Sequence, residues 1–103
     1  MDIAWIRTQV RQEVYEVTAH AEEERQADKI SIEEIEQALL TGKVLEECPD
    51  DPRGPSCLVL GHGREGYPIH VVCGQTPSKR LRIVTIYIPT PPKWIDPMTR
   101  RDK

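Results

Sequence analysis

The sequence predicts an α+β fold in which two to three N-terminal helices pack on a twisted antiparallel sheet of four to five strands. Three observations support this prediction. Apolar residues recur at helical spacing through the first 41 residues, and the pattern becomes strand-like after Gly42. The later strand-like runs are separated by connections so short that antiparallel pairing is expected. Helices followed by such a meander pack as one layer on one sheet.

The first two predicted helices flank a short extended segment. A helix over residues 3 to 13 is indicated by apolar residues at three- and four-residue spacing: Ile3, Ile6, Val10 and Val14. Residues 14 to 18 alternate in polarity and predict a short strand. Thr18 is placed to cap the N-terminus of a second helix that continues through Arg25.

The third helix has the clearest local signals. Ser31 and Glu34 have the spacing of a capping box, in which each side chain bonds to the other residue's backbone N–H. Gly42 is predicted to end the helix in the left-handed conformation. Together these signals predict a helix from about residue 32 to residue 41.

Four strands are predicted after Gly42, and they cover residues 43–48, 56–61, 69–74 and 81–88. The segment between the first two contains three prolines and a glycine, which is typical of a loop. Short turns connect the remaining strands.

Side chains alternate along a strand, so the sequence predicts which residues share a face. The helix side is assigned two sets of residues: Ile69, Val71 and Cys73 from one strand, and Arg82, Val84, Ile86 and Ile88 from the next. His70, Thr85 and Tyr87 then lie together on the opposite face. An imidazole beside a phenol suits proton transfer. The same pair could also simply stabilise the sheet as cross-strand aromatic neighbours.

Length and composition indicate one ordinary intracellular domain. The chain has 103 residues and a net charge of -3, which fits a single domain over 1–103 and argues against a generally basic nucleic-acid-binding surface. Residues 89–103 form a Pro-rich basic tail. The three cysteines lack metal-site spacing, and neither a membrane span nor a signal-peptide core is present. We therefore predict a cytoplasmic protein with reduced thiols.

Seven residues are candidates for a site. The proton-transfer candidates are His20, His70 and Tyr87, and the RNA-binding candidates are Arg82, Lys93, Trp94 and Arg100. Lysine and arginine can neutralise phosphates, and tryptophan can stack on a base. Structural alternatives exist, since His20 could be a satisfied residue between helix and sheet and Trp94 could anchor the tail. No motif indicates a metal site or a cofactor.

The succession of motifs resembles the domain of unknown function family 4258 over about residues 14 to 101. The matching segments are His20-Ala-Glu-Glu, Ile30-Ser-Ile-Glu-Glu, Asp50-Asp51, Ser56-Cys-Leu-Val-Leu-Gly61, Pro68-Ile-His-Val-Val72, Thr85-Ile-Tyr-Ile-Pro89 and Lys93-Trp94. That family is similar to the RelE/BrnT-like group of small toxins. The resemblance implies a RelE-like fold, metal-independent RNA cleavage through the ribose 2′-hydroxyl, and pairing with a small antitoxin protein.

Two hypotheses follow. The first is a metal-independent ribonuclease toxin of a toxin–antitoxin pair, in which His20, His70 and Tyr87 transfer protons and the basic side chains stabilise phosphate charge. The second is a non-catalytic protein–protein interaction domain that retains the fold. RNA and an antitoxin are the expected partners, no membrane is expected, and the homo-oligomeric state is left open. The geometric test is whether His20, His70, Tyr87 and a basic side chain converge in one concavity.

Overall fold

A computed structural model describes residues 1–91 and 93–100 and confirms the predicted α+β class. Three helices come first: α1 (Ile3–Arg11), α2 (Ala19–Ala27) and α3 (Ile32–Thr41), with β1 (Tyr15–Val17) between α1 and α2. The later strands are β2 (Lys43–Cys48), β3 (Ser56–His62), β4 (Pro68–Gln75), β5 (Leu81–Tyr87), β6 (Trp94–Asp96) and β7 (Thr99–Arg100). Within the described residues, no helix has the length and apolar character needed to cross a bilayer.

The main sheet has five strands in the order β1-β5-β4-β3-β2. Strands β2 to β5 form the predicted antiparallel meander, whereas β1 pairs parallel to β5, with Tyr15 opposite Leu81. The sheet is therefore mixed rather than wholly antiparallel. The reason is connectivity, because only a short connection forces antiparallel pairing and a long segment separates β1 from β5.

Helices α2 and α3 pack on one face of the sheet, and their predicted caps are confirmed. The Thr18 hydroxyl accepts a hydrogen bond from Ala21 N–H at 3.0 Å and donates one to the Val84 carbonyl at 3.0 Å, which ties α2 to β5. Both hydrogen bonds of the Ser31–Glu34 capping box are present. The helix-side core includes residues from all three helices and from β3, β4 and β5: Ile6, Val10, Ala21, Ile35, Leu39, Val59, Val71, Ile83 and Ile86.

Gly42 does not end α3 in the predicted left-handed conformation. Its φ of -83° and ψ of -173° are extended, which any residue can adopt. Glycine is needed there for space, because a Cβ atom on Gly42 would lie 2.4 Å from the carbonyl oxygens of both Ala38 and Leu60. Gly61 has the same function on β3, where a Cβ atom would lie 2.4–2.5 Å from Ala38. The two glycines let α3 approach the sheet closely.

Replacing Gly61 with alanine is therefore expected to lower the free energy of unfolding by about 2 kcal/mol or more, because the clash involves backbone atoms that cannot move aside cheaply. Urea denaturation monitored by circular dichroism measures this loss. Gly74→Ala is the matched control, since its Cβ would lie 3.3 Å from the Val84 side chain and 4.0 Å from the Arg82 carbonyl oxygen. Equal losses in the two variants would contradict the interpretation.

A β-bulge at Val84 shifts the side-chain alternation of β5. Cys73 is opposite Ile83 while Val72 is opposite Thr85, so Val84 is the extra residue. Ile83 and Ile86 consequently both face the core. The prediction that Arg82 and Val84 lie on the helix side is wrong, because the regular alternation of side chains between the two faces is interrupted at a bulge.

Candidate functional site

The face of the sheet away from the helices, which we call the open face, is partly covered by the C-terminal hairpin β6–β7. Trp94 points inward and is only 2% exposed. Its ring packs edge-on against His70 of β4, with 4.4 Å between ring centroids. On β7, Arg100 lies 4.6 Å above the Trp94 ring and makes two hydrogen bonds to Glu46 of β2, at 2.8 and 3.1 Å. The hairpin is thus anchored at both of its strands.

His70 and Tyr87 are directly opposed on β4 and β5, as the sequence predicted, but His70 is completely buried. Its Nε2 lies 2.7 Å from the Pro97 carbonyl oxygen, and its Nδ1 lies 3.1 Å from the Tyr87 hydroxyl. A carbonyl can only accept, so Nε2 carries the proton and Nδ1 accepts from Tyr87. Burial lowers the pKa of His70, which favours this neutral form. Both ring nitrogens are therefore occupied.

Tyr87 forms a wall between two adjoining cavities. One, of about 260 Å³, extends toward Glu46 and Arg100; the other, of about 310 Å³, extends toward Glu24 and Trp94. Three side chains line both cavities: Thr85, Tyr87 and Lys93. We call the two cavities together the Tyr87 cleft.

The side chain of Tyr87 is half-buried. Burial raises its pKa, so the hydroxyl keeps its proton near neutral pH. The Trp94 indole N–H lies near the Tyr87 hydroxyl and partly offsets this increase in the pKa. None of the described residues accepts a well-formed hydrogen bond from that N–H.

Lys93 and Arg100 provide the positive charge of the cleft. The Arg100 hydrogen bonds hold the pKa of Glu46 below its usual range, so this pair remains ionised and its charges largely cancel. Lys93 forms no ion pair with any carboxylate in residues 1–91 or 93–100, and its ammonium lies 5.9 Å from the Tyr87 ring centroid. Lys93 is therefore the cation best able to meet an incoming anion.

His20 reaches the border of the cleft through Glu24, one turn further along α2. The His20 side chain is 65% exposed, and its Nε2 lies 3.3 Å from Glu24 Oε1. The same carboxylate oxygen accepts a hydrogen bond from Ile86 N–H at 2.9 Å, which fixes it against β5 beside Tyr87. Glu24 is not among the seven candidate residues predicted from the sequence. Its four-residue spacing from His20 is the signal that could have identified it.

The structure thus brings together most of the predicted site residues. Tyr87, Lys93, Trp94 and Arg100 meet at the cleft, with His70 buried beneath them. Arg82 does not join them, because it lies at the other end of β5 and forms an ion pair with Glu16 at 2.8 Å. In the part of the chain that the structure describes, no group of three or more His, Cys, Asp or Glu residues is placed to hold a metal ion.

The burial of His70 predicts a specific pH dependence of stability. In the unfolded chain this histidine binds a proton near its ordinary pKa of about 6.5, whereas in the folded protein its pKa is lower. The unfolded state therefore binds more protons as the pH falls below about 6.5, and stability decreases there. Urea unfolding at pH 7.5 and 5.5 measures the decrease. We expect it to shrink in His70→Gln and to persist in His62→Gln, since His62 is exposed; an unchanged decrease in His70→Gln would contradict this.

Comparison with known proteins identifies one family. A family model described as a domain of unknown function (DUF4258) matches residues 17–88. This range includes His20, Glu24, His70 and Tyr87 but stops before the hairpin that carries Trp94 and Arg100. No curated protein and no solved structure matches the chain.

Proposed function

The chain belongs to the DUF4258 family of domains of unknown function, and we propose that it is a metal-independent ribonuclease toxin whose active site is the Tyr87 cleft. The observation that supports this proposal is convergence. One cleft is lined by a phenol and by a lysine that forms no ion pair with the described carboxylates, and a histidine–carboxylate pair stands at its border. Proton-transferring groups around a cation are what attack of a ribose 2′-hydroxyl on its own phosphate requires.

In this mechanism His20, rather than His70, removes the proton from the 2′-hydroxyl. His20 Nε2 lies 3.3 Å from Glu24 Oε1, and the exposed imidazole is placed beside this carboxylate to act as the base. His70 cannot take this part without losing a hydrogen bond and burying a charge. It is a positioning residue that holds the Tyr87 hydroxyl.

Lys93 and Tyr87 complete the reaction. Lys93 stabilises the negative charge that develops on the phosphate oxygens. The Tyr87 hydroxyl turns from His70 Nδ1 to the departing 5′ oxygen and gives that oxygen its proton. The bond between phosphorus and the 5′ oxygen breaks as the 2′ oxygen bonds to phosphorus. The products carry a 2′,3′-cyclic phosphate and a 5′-hydroxyl.

The experiment is to incubate the purified protein with an end-labelled oligoribonucleotide and with ribosome-bound message, in the presence of a chelator. We expect cleavage products with a cyclic phosphate, and no cleavage where the nucleotide before the scissile bond lacks its 2′-hydroxyl. Intact RNA in both assays, with unchanged growth on expression in cells, would refute the proposal.

Among the histidines, His20→Ala is expected to lower the single-turnover cleavage rate about 100-fold or more, because it removes the base. His62→Ala is the matched control and should leave the rate unchanged, since His62 is exposed and lines neither cavity of the cleft. Equal rates in the two variants would exclude His20 as the base.

A second candidate function is a non-catalytic interaction domain that binds a small antitoxin-like protein. It is favoured by two large apolar side chains on the hairpin, Ile95 and Met98, which are 58% and 55% exposed. Binding to the protein encoded by the adjacent reading frame should weaken in the Ile95→Ser/Met98→Ser variant. Tyr67→Ser is the matched control at another exposed apolar residue. Equal affinity of both variants would count against this surface.

A further inference from the structure

Two cysteines are directly opposed across β3 and β4. Cys57 and Cys73 are Cα partners in the antiparallel register. Side chains of directly opposed residues project from the same face, and their Cα atoms lie roughly 4.5–5.5 Å apart. This spacing falls within the range of about 4.4–6.8 Å that a disulfide spans. The backbone therefore already has the separation that a disulfide needs.

The two thiols are buried in the helix-side core and interact with each other. Cys57 is 2% exposed and Cys73 is fully buried. Hydrogen bonding between them lowers the pKa of Cys57 and raises that of Cys73. Cys57 is thus the sulfur that ionises first, and Cys73 is the neighbour placed to react with it.

Cys57 is the more accessible of the two thiols. It is the second residue of β3, close to the strand end, and is 2% exposed, whereas Cys73 is fully buried. Hydrogen peroxide is little larger than water and meets Cys57 first. Cys48 is exposed, so it is the competing thiol that an experiment must remove.

We propose that Cys57 and Cys73 form a peroxide-responsive site that closes into a reversible intramolecular disulfide. The Cys57 thiolate attacks one oxygen of hydrogen peroxide, and the O–O bond breaks to leave a sulfenic acid and, after protonation, water. The Cys73 sulfur then attacks the Cys57 sulfur, and the sulfenic oxygen leaves as a second water. Two thiols and one peroxide thus give one disulfide and two waters. A dithiol reductant reverses the bond.

The disulfide would change stability without changing the fold. It closes the segment from β3 through the following turn into β4, which restricts the unfolded chain. For a loop of this length in a domain of this size, the expected rise in Tm is roughly 10 °C. This response does not depend on the ribonuclease proposal.

The experiment uses the Cys48→Ser variant, with folding monitored by circular dichroism during peroxide treatment. The protein is then unfolded, alkylated and weighed intact. We expect the mass to fall by two hydrogens, no thiol to alkylate, a linked peptide to join Cys57 and Cys73, and Tm to rise until dithiothreitol is added. In Cys48→Ser/Cys73→Ser the reaction should stop at a sulfenic acid that a dione reagent traps.

Persistence of two alkylatable thiols in folded, peroxide-treated Cys48→Ser protein would overturn the proposal. So would addition of oxygen atoms without a link between the two cysteines. Alkylation of the Cys48→Ser protein decides between these outcomes even where the double variant fails to fold.

Discussion

Replacing Trp94 with alanine is expected to lower the free energy of unfolding by about 3 to 4 kcal/mol, the usual cost of removing a fully buried large aromatic ring. The indole fills the space between the hairpin and the open face. It packs against His70 on one side and under Arg100 on the other. Without it, the hairpin keeps the Pro97–His70 and Arg100–Glu46 hydrogen bonds and the contact between Met98 Sδ and the Lys43 ammonium.

Urea denaturation measures this loss, and limited proteolysis measures release of the hairpin. We expect Trp94→Ala to be cut within residues 94–100 under conditions in which the wild type is not. Ile95→Ala is the matched control on the same strand, and it should cost little because Ile95 is 58% exposed. Similar stability and similar protease resistance in the two variants would show that the hairpin does not depend on Trp94.

Local signals in the sequence were sufficient for the helices. A cap at Thr18 and a capping box at Ser31 involve residues only three positions apart, so the spacing itself determines the hydrogen bonds. The strand boundaries were predictable for a related reason, since prolines and glycines interrupt the apolar runs. These features account for the α+β class and for the meander β2–β5.

The errors lie where distant parts of the chain meet. The bulge at Val84 arises from the pairing of β5 with β4, and no sequence pattern within β5 predicts it. Gly42 is required by the approach of Leu60, which is 18 positions further along the sequence. The burial of His70 depends on a hairpin that begins at Trp94. Each of these features needs tertiary contacts that sequence periodicity does not encode.

The hairpin also changes how the polar residues of the strands are interpreted. His70 and Tyr87 were predicted as a pair on an exposed face, and their pairing is confirmed. Because Trp94 and Pro97 cover His70, the histidine is a buried residue that orients the half-buried phenol. The proposed chemistry therefore relies on His20 and Lys93, which are exposed, and on Tyr87, which lines the cleft.

Replacing Lys93 with alanine is expected to lower the single-turnover rate of RNA cleavage about 100- to 1000-fold, the usual effect of losing one group that stabilises developing charge. Lys93 lines both cavities of the Tyr87 cleft. Arg100 cannot replace it, because the guanidinium is held by Glu46. The loss should fall more on kcat than on KM, since the phosphate carries one negative charge in the bound RNA and gains a second in the transition state.

Lys79→Ala is the matched control, because Lys79 is exposed in the turn before β5 and lines neither cavity. Lys93→Arg should keep part of the rate, since it retains the charge but not the compact ammonium. The Tm of Lys93→Ala should stay close to that of the wild type, because Lys93 is exposed and makes no ion pair with the described carboxylates. A normal cleavage rate in Lys93→Ala would show that Lys93 does not take part in catalysis. A lowered Tm with a proportionate loss of rate would show that the role of Lys93 is purely structural.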